Sequence, residues 1–294
     1  MRFVWDCNKV VHGDPFLLLL ALSISIVLSA SLELLGQPGT AEFADEFNGA
    51  RGASFDNTKW TAETGGRGWG NEELQYYTGN TENVRLDGEG NLEIRALPLR
   101  PSTPLDCWYG KCRYSSARLI TKGKFQFTYG RAEARIKVPE GHGVWPAFWL
   151  LGSDIDRVGW PSCGEIDIME FIGKEPATVY GTVHGPGYSG ANGISRSTTV
   201  ADQGGVPKNF HVFAVEWSDS EIRWFLDDKQ YAVITKKDLP SGTKWAFDRP
   251  HFIILNFAVG GKWPGSPAAA TKFPQSMLVD YVRVSPLPSG RSKS

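Results

Sequence analysis

Gly130-Arg-Ala-Glu-Ala-Arg-Ile-Lys-Val138 alternates small or apolar residues with charged ones at a period of two. Successive side chains of a strand point to opposite faces, so this stretch reads as a strand with one face in a core and one in water. Working outward, residues 91–96, 211–217, 221–226, 251–258 and 278–284 read the same way. Turn signals separate them: Asp87-Gly88, Glu89-Gly90, Pro139-Glu140-Gly141, Asp227-Asp228 and Pro240-Ser241-Gly242. Helical periodicity is scarce, with one short turn expected at 236–239. No composition break marks a linker between residues 41 and 284. So many strands without a break predict one all-β domain over 41–286, a two-sheet antiparallel β-sandwich or jelly roll.

Composition narrows the function. The 294 residues carry a formal net charge of -1, with no run of like charges. A nucleic-acid partner would show as a clustered basic excess, so none is expected. Eleven tryptophans is a high count for this length. Indoles fill sandwich cores, and their flat faces also stack on sugar rings; about a third are expected to face a ligand.

The N-terminus reads as a targeting segment. Residues 15–28 are almost wholly apolar, too short for a comfortable membrane span, and small residues follow at Ser29, Ala30 and Ser31. Residues 1–31 are therefore expected to be a signal peptide, although the long n-region mixes Arg2 and Lys9 with Asp6 and Asp14. The alternative is an uncleaved anchor. Removal of the leader implies a secreted protein with no membrane contact. Residues 287–294 form a short polar tail. Cys107 and Cys112 are close enough in sequence to close a small loop or to stay reduced, and Cys163 is expected to be a buried, inert thiol.

The chemistry lies in Trp160-Pro-Ser-Cys-Gly-Glu165-Ile-Asp167-Ile-Met-Glu170-Phe-Ile172. Ile166, Ile168 and Ile172 are strand formers, interrupted by three acids. Glu165 and Asp167 share a face at i and i+2. Glu170, at i+5, points the opposite way unless a β-bulge near Ile168-Met169 restores it. Three carboxylates on one face repel. In a core they would cost several kcal/mol, but in a cleft they push each other's pKa apart, so that one holds a proton while another stays ionised. Glycoside hydrolysis needs that division. A solvated polar face or a calcium site is the structural alternative.

The same residues resemble glycoside hydrolase family 16, in the bulged form found in laminarinases. The likeness extends through Asp45-Glu-Phe-Asn, Trp69-Gly-Asn-Glu-Glu-Leu-Gln-Tyr-Tyr-Thr, Tyr114-Ser-Ser-Ala-Arg-Leu and Gly143-Val-Trp-Pro-Ala-Phe-Trp-Leu-Leu-Gly. It continues in Thr182-Val-His-Gly-Pro-Gly-Tyr, Leu255-Asn-Phe-Ala-Val-Gly-Gly-Lys-Trp-Pro-Gly and Val279-Asp-Tyr-Val-Arg-Val. The resemblance implies a jelly roll with a concave substrate cleft and a retaining endo-acting enzyme on β-1,3-glucan. It implies Glu165 as nucleophile, Glu170 as acid/base and Asp167 as partner of the nucleophile. It places Asn71 and His184 along the cleft; Trp145, Trp149 and Trp160 stack on sugar or pack in the core. No catalytic cofactor is implied. A structural calcium ion would be held by Glu46, the Gly90 backbone and Asp280. Lys262 departs from the Asn usual at that place in the family. A monomer is the default. Three other readings stand beside this one: an enzyme on another polymer such as mixed-linkage β-1,3-1,4-glucan or a galactan, a transglycosylase, and a β-glucan-binding protein without activity. The Gly185–Gly190 loop matches a dinucleotide fingerprint literally, but Pro186 and the lack of a following helix pattern exclude that reading.

Overall fold

The computed structural model describes residues 42–201 and 203–287. The expected signal peptide and most of the tail lie outside the described residues.

Two antiparallel sheets face each other across one core. The larger has ten strands. Gly130–Lys137 lies at its centre, between His211–Trp217 and Gln275–Ser285. Its burial alternates residue by residue: Ala132, Ala134 and Ile136 turn inward, and Arg131, Glu133 and Arg135 face out. The expected strand boundaries at His211–Trp217 and Glu221–Leu226 match those observed. Leu92–Pro98 starts one residue later and ends two later than expected, His251–Val259 gains one residue, and Gln275–Ser285 gains three at its start and one at its end. One pair departs from the antiparallel rule, since Gln75–Tyr77 runs parallel to Tyr114–Ser116.

The second sheet carries the site. Its seven strands run in the order Ile194–Thr199, Thr178–His184, Glu165–Glu170, Val144–Gly152, His251–Val259, Arg118–Ile120, Thr61–Ala62. Every residue of His251–Val259 is buried. Ile253, Leu255, Phe257 and Val259 pack into the main core, while Phe252 and Ile254 join a second buried cluster with Ile120, Leu151 and Cys163, against which Trp149 packs. The expected turn at 236–239 is a single 3-10 turn, Lys236–Asp238, capped by Thr235 and Asp238 in a reciprocal capping box.

Tryptophan supplies much of the core. Trp60, Trp217 and Trp224 are fully buried, and each indole N–H finds an acceptor. Trp60 donates to Asp45 at 2.9 Å, Trp217 to the Phe247 carbonyl at 2.9 Å and Trp224 to the Asp167 carbonyl at 2.8 Å. Burying an indole without that partner would strand a polar group. The Trp224 bond also reaches across the sandwich to hold the acid strand from behind.

Candidate active site

The acid strand Glu165–Glu170 is clamped on both edges. Glu165, Asp167 and Glu170 stand opposite Leu151, Trp149 and Ala147 on one neighbour. On the other they stand opposite His184, Thr182 and Tyr180. Both pairings shift register between Asp167 and Glu170. The cause is local: Ile168 and Met169, adjacent in sequence, are both buried in the same core cluster. Two consecutive residues facing inward break the alternation, and the bulge returns Glu170 to the face of Glu165 and Asp167. The expected bulge is present, and its driving force is hydrophobic burial.

Each glutamate meets an indole. Trp160 Nε1 donates to Glu165 Oε2 at 2.8 Å, and Trp145 Nε1 donates to Glu170 Oε1 at 3.1 Å. Thr182 Oγ1 adds a longer bond to Glu170 Oε2 at 3.5 Å. His184 Nε2 lies 3.2 Å from Asp167 Oδ2 and 3.7 Å from Glu165 Oε1. Burial, then the charge of Asp167, pushes the Glu165 carboxyl up to about 8, against the pull of His184 and the Trp160 bond. Burial does the same to Asp167, also up to about 8. Burial and then Asp167 raise Glu170 well above the ordinary range, with His184 and the Trp145 bond opposing. Burial and mutual repulsion therefore keep these three groups from ionising together near neutral pH.

The remaining candidates fall around this centre. Trp149 Nε1 donates to Asn256 Oδ1 at 2.7 Å. Asn256 Nδ2 donates to the Tyr77 hydroxyl, and that hydroxyl donates to the buried Glu73 carboxylate at 3.1 Å. Asn71 Nδ2 donates to the other oxygen of Glu73 at 3.3 Å. Asn71 and Trp149 are thus joined through one buried network, although they lie on distant segments. Gln75 completes it, donating to Glu73 at 2.6 Å and accepting from the Val259 N–H at 2.7 Å. Burial raises the Glu73 carboxyl despite these donors.

Sequence reasoning missed several groups. Arg118 stands opposite Asn256, its guanidinium carbon 4.8 Å from the ring centres of both Trp69 and Trp149, with Glu63 at 2.5 Å. Trp263 packs edge-on against Trp145 and Tyr180, with centroids 5.6 and 5.1 Å away. The aromatic content was the available signal, but ring contacts between segments this far apart in sequence are not readable from spacing. Lys262 does not reach toward the acids: its ammonium meets Glu72 at 3.2 Å, and its backbone N–H donates to the Asn71 carbonyl at 2.9 Å.

Two of the expected calcium ligands, Glu46 and Asp280, are paired with arginines. Both oxygens of Glu46 accept from the Arg283 fork at 2.7 Å, a pairing that also lowers the Glu46 pKa. Asp280 accepts from Arg135 at 2.5 Å. Gly90 occupies a left-handed turn before Leu92–Pro98, with φ +88°. Two guanidinium groups already neutralise the charge that a hard cation would require. Among the described residues, the metal-capable cluster is instead Glu165, Asp167 and His184, whose donor atoms lie within 4.8 Å of one another. Cys107 and Cys112 form a disulfide, and Cys163 is buried with its thiol pushed up to about 11, which makes it a poor nucleophile.

The chain is 43% identical to a beta-glucanase of Rhodothermus marinus over 241 residues, 78% of this chain and 79% of that protein. An endo-beta-1,3-glucanase from Pyrococcus furiosus superposes with a TM-score of 0.79 at 47% identity, covering 85% of this chain and 95% of that one. The laminarinase catalytic domain of Thermotoga maritima gives 0.78 at 42% identity, covering 86% of this chain and all of that domain. The model of glycosyl hydrolases family 16 matches residues 69–283, the span that holds both clamped glutamates and the network behind them, and the chain belongs to that family.

Proposed function

We propose that this protein is a retaining endo-β-1,3-glucanase acting on laminarin-like polysaccharide, with Glu165 as nucleophile and Glu170 as acid/base. The observation that carries the reading is the bulge that puts Glu165, Asp167 and Glu170 on one face, each glutamate held by a tryptophan N–H. Glu165 as carboxylate attacks the anomeric carbon. The glycosidic C–O bond breaks, and the leaving oxygen takes the proton of Glu170. Water then adds to the anomeric carbon, gives its proton to Glu170 and releases Glu165, with net retention. Asp167 and His184 beside the nucleophile tune its charge; Asn71, Trp145, Trp149 and Trp160 hold sugar. The Met169 insertion, by resemblance, and the likeness to an endo-beta-1,3-glucanase and a laminarinase favour this substrate over mixed-linkage glucan. No step calls for a cofactor.

The same reading makes residues 41–286 the catalytic domain and 1–31 an export leader, with secretion before action. The Cys107–Cys112 disulfide supports an oxidising destination. A monomer suffices for the chemistry, since both glutamates come from one strand.

The test is reducing-sugar release from laminarin by the mature chain, with Glu165→Gln and Glu170→Gln alongside. A 2-fluoro glycoside that traps the covalent intermediate identifies the nucleophile by peptide mass. Release lost in both variants, with the label on Glu165, is expected. No release from laminarin, or a label elsewhere, overturns the assignment.

A further inference from the structure

The segment after Leu105 has no part in the chemistry above. Asp106–Cys107 and Gly110–Lys111 pair as a two-stranded hairpin, and the Cys107–Cys112 disulfide closes it. The tip of this hairpin is pinned. Trp108 Nε1 donates to the Glu73 carbonyl at 2.8 Å, and its backbone N–H donates to the Gly66 carbonyl at 2.9 Å. The Tyr109 hydroxyl donates to the Leu74 carbonyl at 2.5 Å, and its ring braces Trp108 edge-on at 5.4 Å. The seat is cut to fit. A Cβ on Gly66 would fall 2.7 Å from Cys107 Sγ, and one on Gly68 would fall 2.9 Å from Trp108 Cδ1. Glycine at both places lets the hairpin close on the segment that carries Trp69 and Asn71.

Despite these anchors, Trp108 is 49% exposed. The other exposed tryptophan among the described residues is Trp160, at 47%, on the nucleophile itself. An indole held by its N–H, braced by Tyr109 and with about half its surface in water is a rigid apolar platform, and rigidity removes the ordering cost of stacking on a ligand. A series of side-chain contacts leads toward it from the acid strand, beginning at Trp149 opposite Asp167. From Glu165–Glu170 the sheet steps through Val144–Gly152 and His251–Val259 to Arg118–Ile120, a distance of about 14 Å at the usual strand spacing. There Arg118 bridges Trp149 and Trp69, and beyond Trp69 the backbone at Gly68 touches Trp108.

We propose that Trp108 is a remote sugar-stacking subsite, which takes a glucosyl unit of the same β-glucan chain several units from the scissile bond. The proposal rests on the β-1,3-glucanase reading. It makes the disulfide-closed hairpin a determinant of chain-length preference: long chains reach the platform and short ones do not.

The experiment compares wild type with Trp108→Ala on laminarin and on laminaritriose. The variant is expected to lose about tenfold in kcat/KM on laminarin, mainly through KM, and to stay within about twofold on the trisaccharide. Trp108→Phe keeps a stacking face and should recover most of the loss. The double variant Cys107→Ser, Cys112→Ser, which frees the platform, should fall between. An equal change on both substrates, or no change on laminarin, overturns the proposal. A binding arm separates this from the parent reading. In gels containing laminarin, Glu165→Gln should be retarded more than Glu165→Gln with Trp108→Ala. Equal retardation refutes the subsite, whereas a wild type without turnover of laminarin refutes the glucanase reading.

Discussion

Trp160 Nε1 donates to Glu165 Oε2 at 2.8 Å, although Trp160 itself is half exposed at the mouth of the site. The bond stabilises the carboxylate form of Glu165 and opposes the burial that raises its pKa. Trp160→Phe keeps an aromatic face and removes the donor. The Glu165 pKa then rises further, so the acid limb of the kcat/KM profile moves to higher pH. At pH 6 the expected loss is about tenfold, narrowing on the alkaline side. A pH–rate profile checks it; a uniform loss at all pH values would assign Trp160 to sugar stacking alone.

The crowded acids work against stability at high pH. An unfolded glutamate titrates near 4.3. In the fold, burial and Asp167 push Glu165 up to about 8. The folded chain therefore holds this proton more tightly than the unfolded one, and that advantage is lost as pH rises from the unfolded value through about 8. Glu165→Gln carries no charge to bury. It should melt about 4 °C or more above wild type at pH 9, with the difference vanishing near pH 4. Calorimetry at the two pH values measures this.

Glu73 is the root of the network that joins Asn71 to Trp149 through Tyr77 and Asn256. Its carboxylate accepts from three donors. Glu73→Gln places an amide donor among those donors, so at least one bond is lost. KM for laminarin should rise about tenfold with kcat within about threefold, because the acids are untouched. Steady-state kinetics decide; a fall in kcat with unchanged KM would contradict the positioning role.

Lys262 and Glu72 pair at 3.2 Å with both side chains more than half exposed. Such a pair contributes little to stability. Lys262→Asn, the residue usual in the family, should leave Tm within about 1 °C while changing the oligosaccharide product pattern. Chromatography of laminarin digests is the readout, and a large drop in Tm would show that the contact is structural.

Much of the site was legible because it is local. Glu165, Asp167 and Glu170 lie within six residues, and the strand period sets their faces once the bulge is allowed. Ile168-Met169 is a visible pair of adjacent apolar residues, and both are buried in one cluster. Trp160 and Trp145 were named as candidates, but their N–H bonds to Glu165 and Glu170 were not foreseen, since an indole's sugar and core roles look alike in sequence. Glu46 and Asp280 were named from residue type alone, and their pairing with Arg283 and Arg135 was not foreseen.

Alternation of apolar and charged residues by itself determined an all-β sandwich, and the spacing of three acids marked the candidate site. Both are properties of neighbouring residues on one strand, set by backbone geometry. Only the tertiary structure decided which groups converge on that strand. Trp145, His184 and Trp224 come from three other strands, and sheet order and hydrogen bonding across the sandwich bring them to it. It also set the surroundings of the acids, because burial that no local pattern encodes raises their pKa.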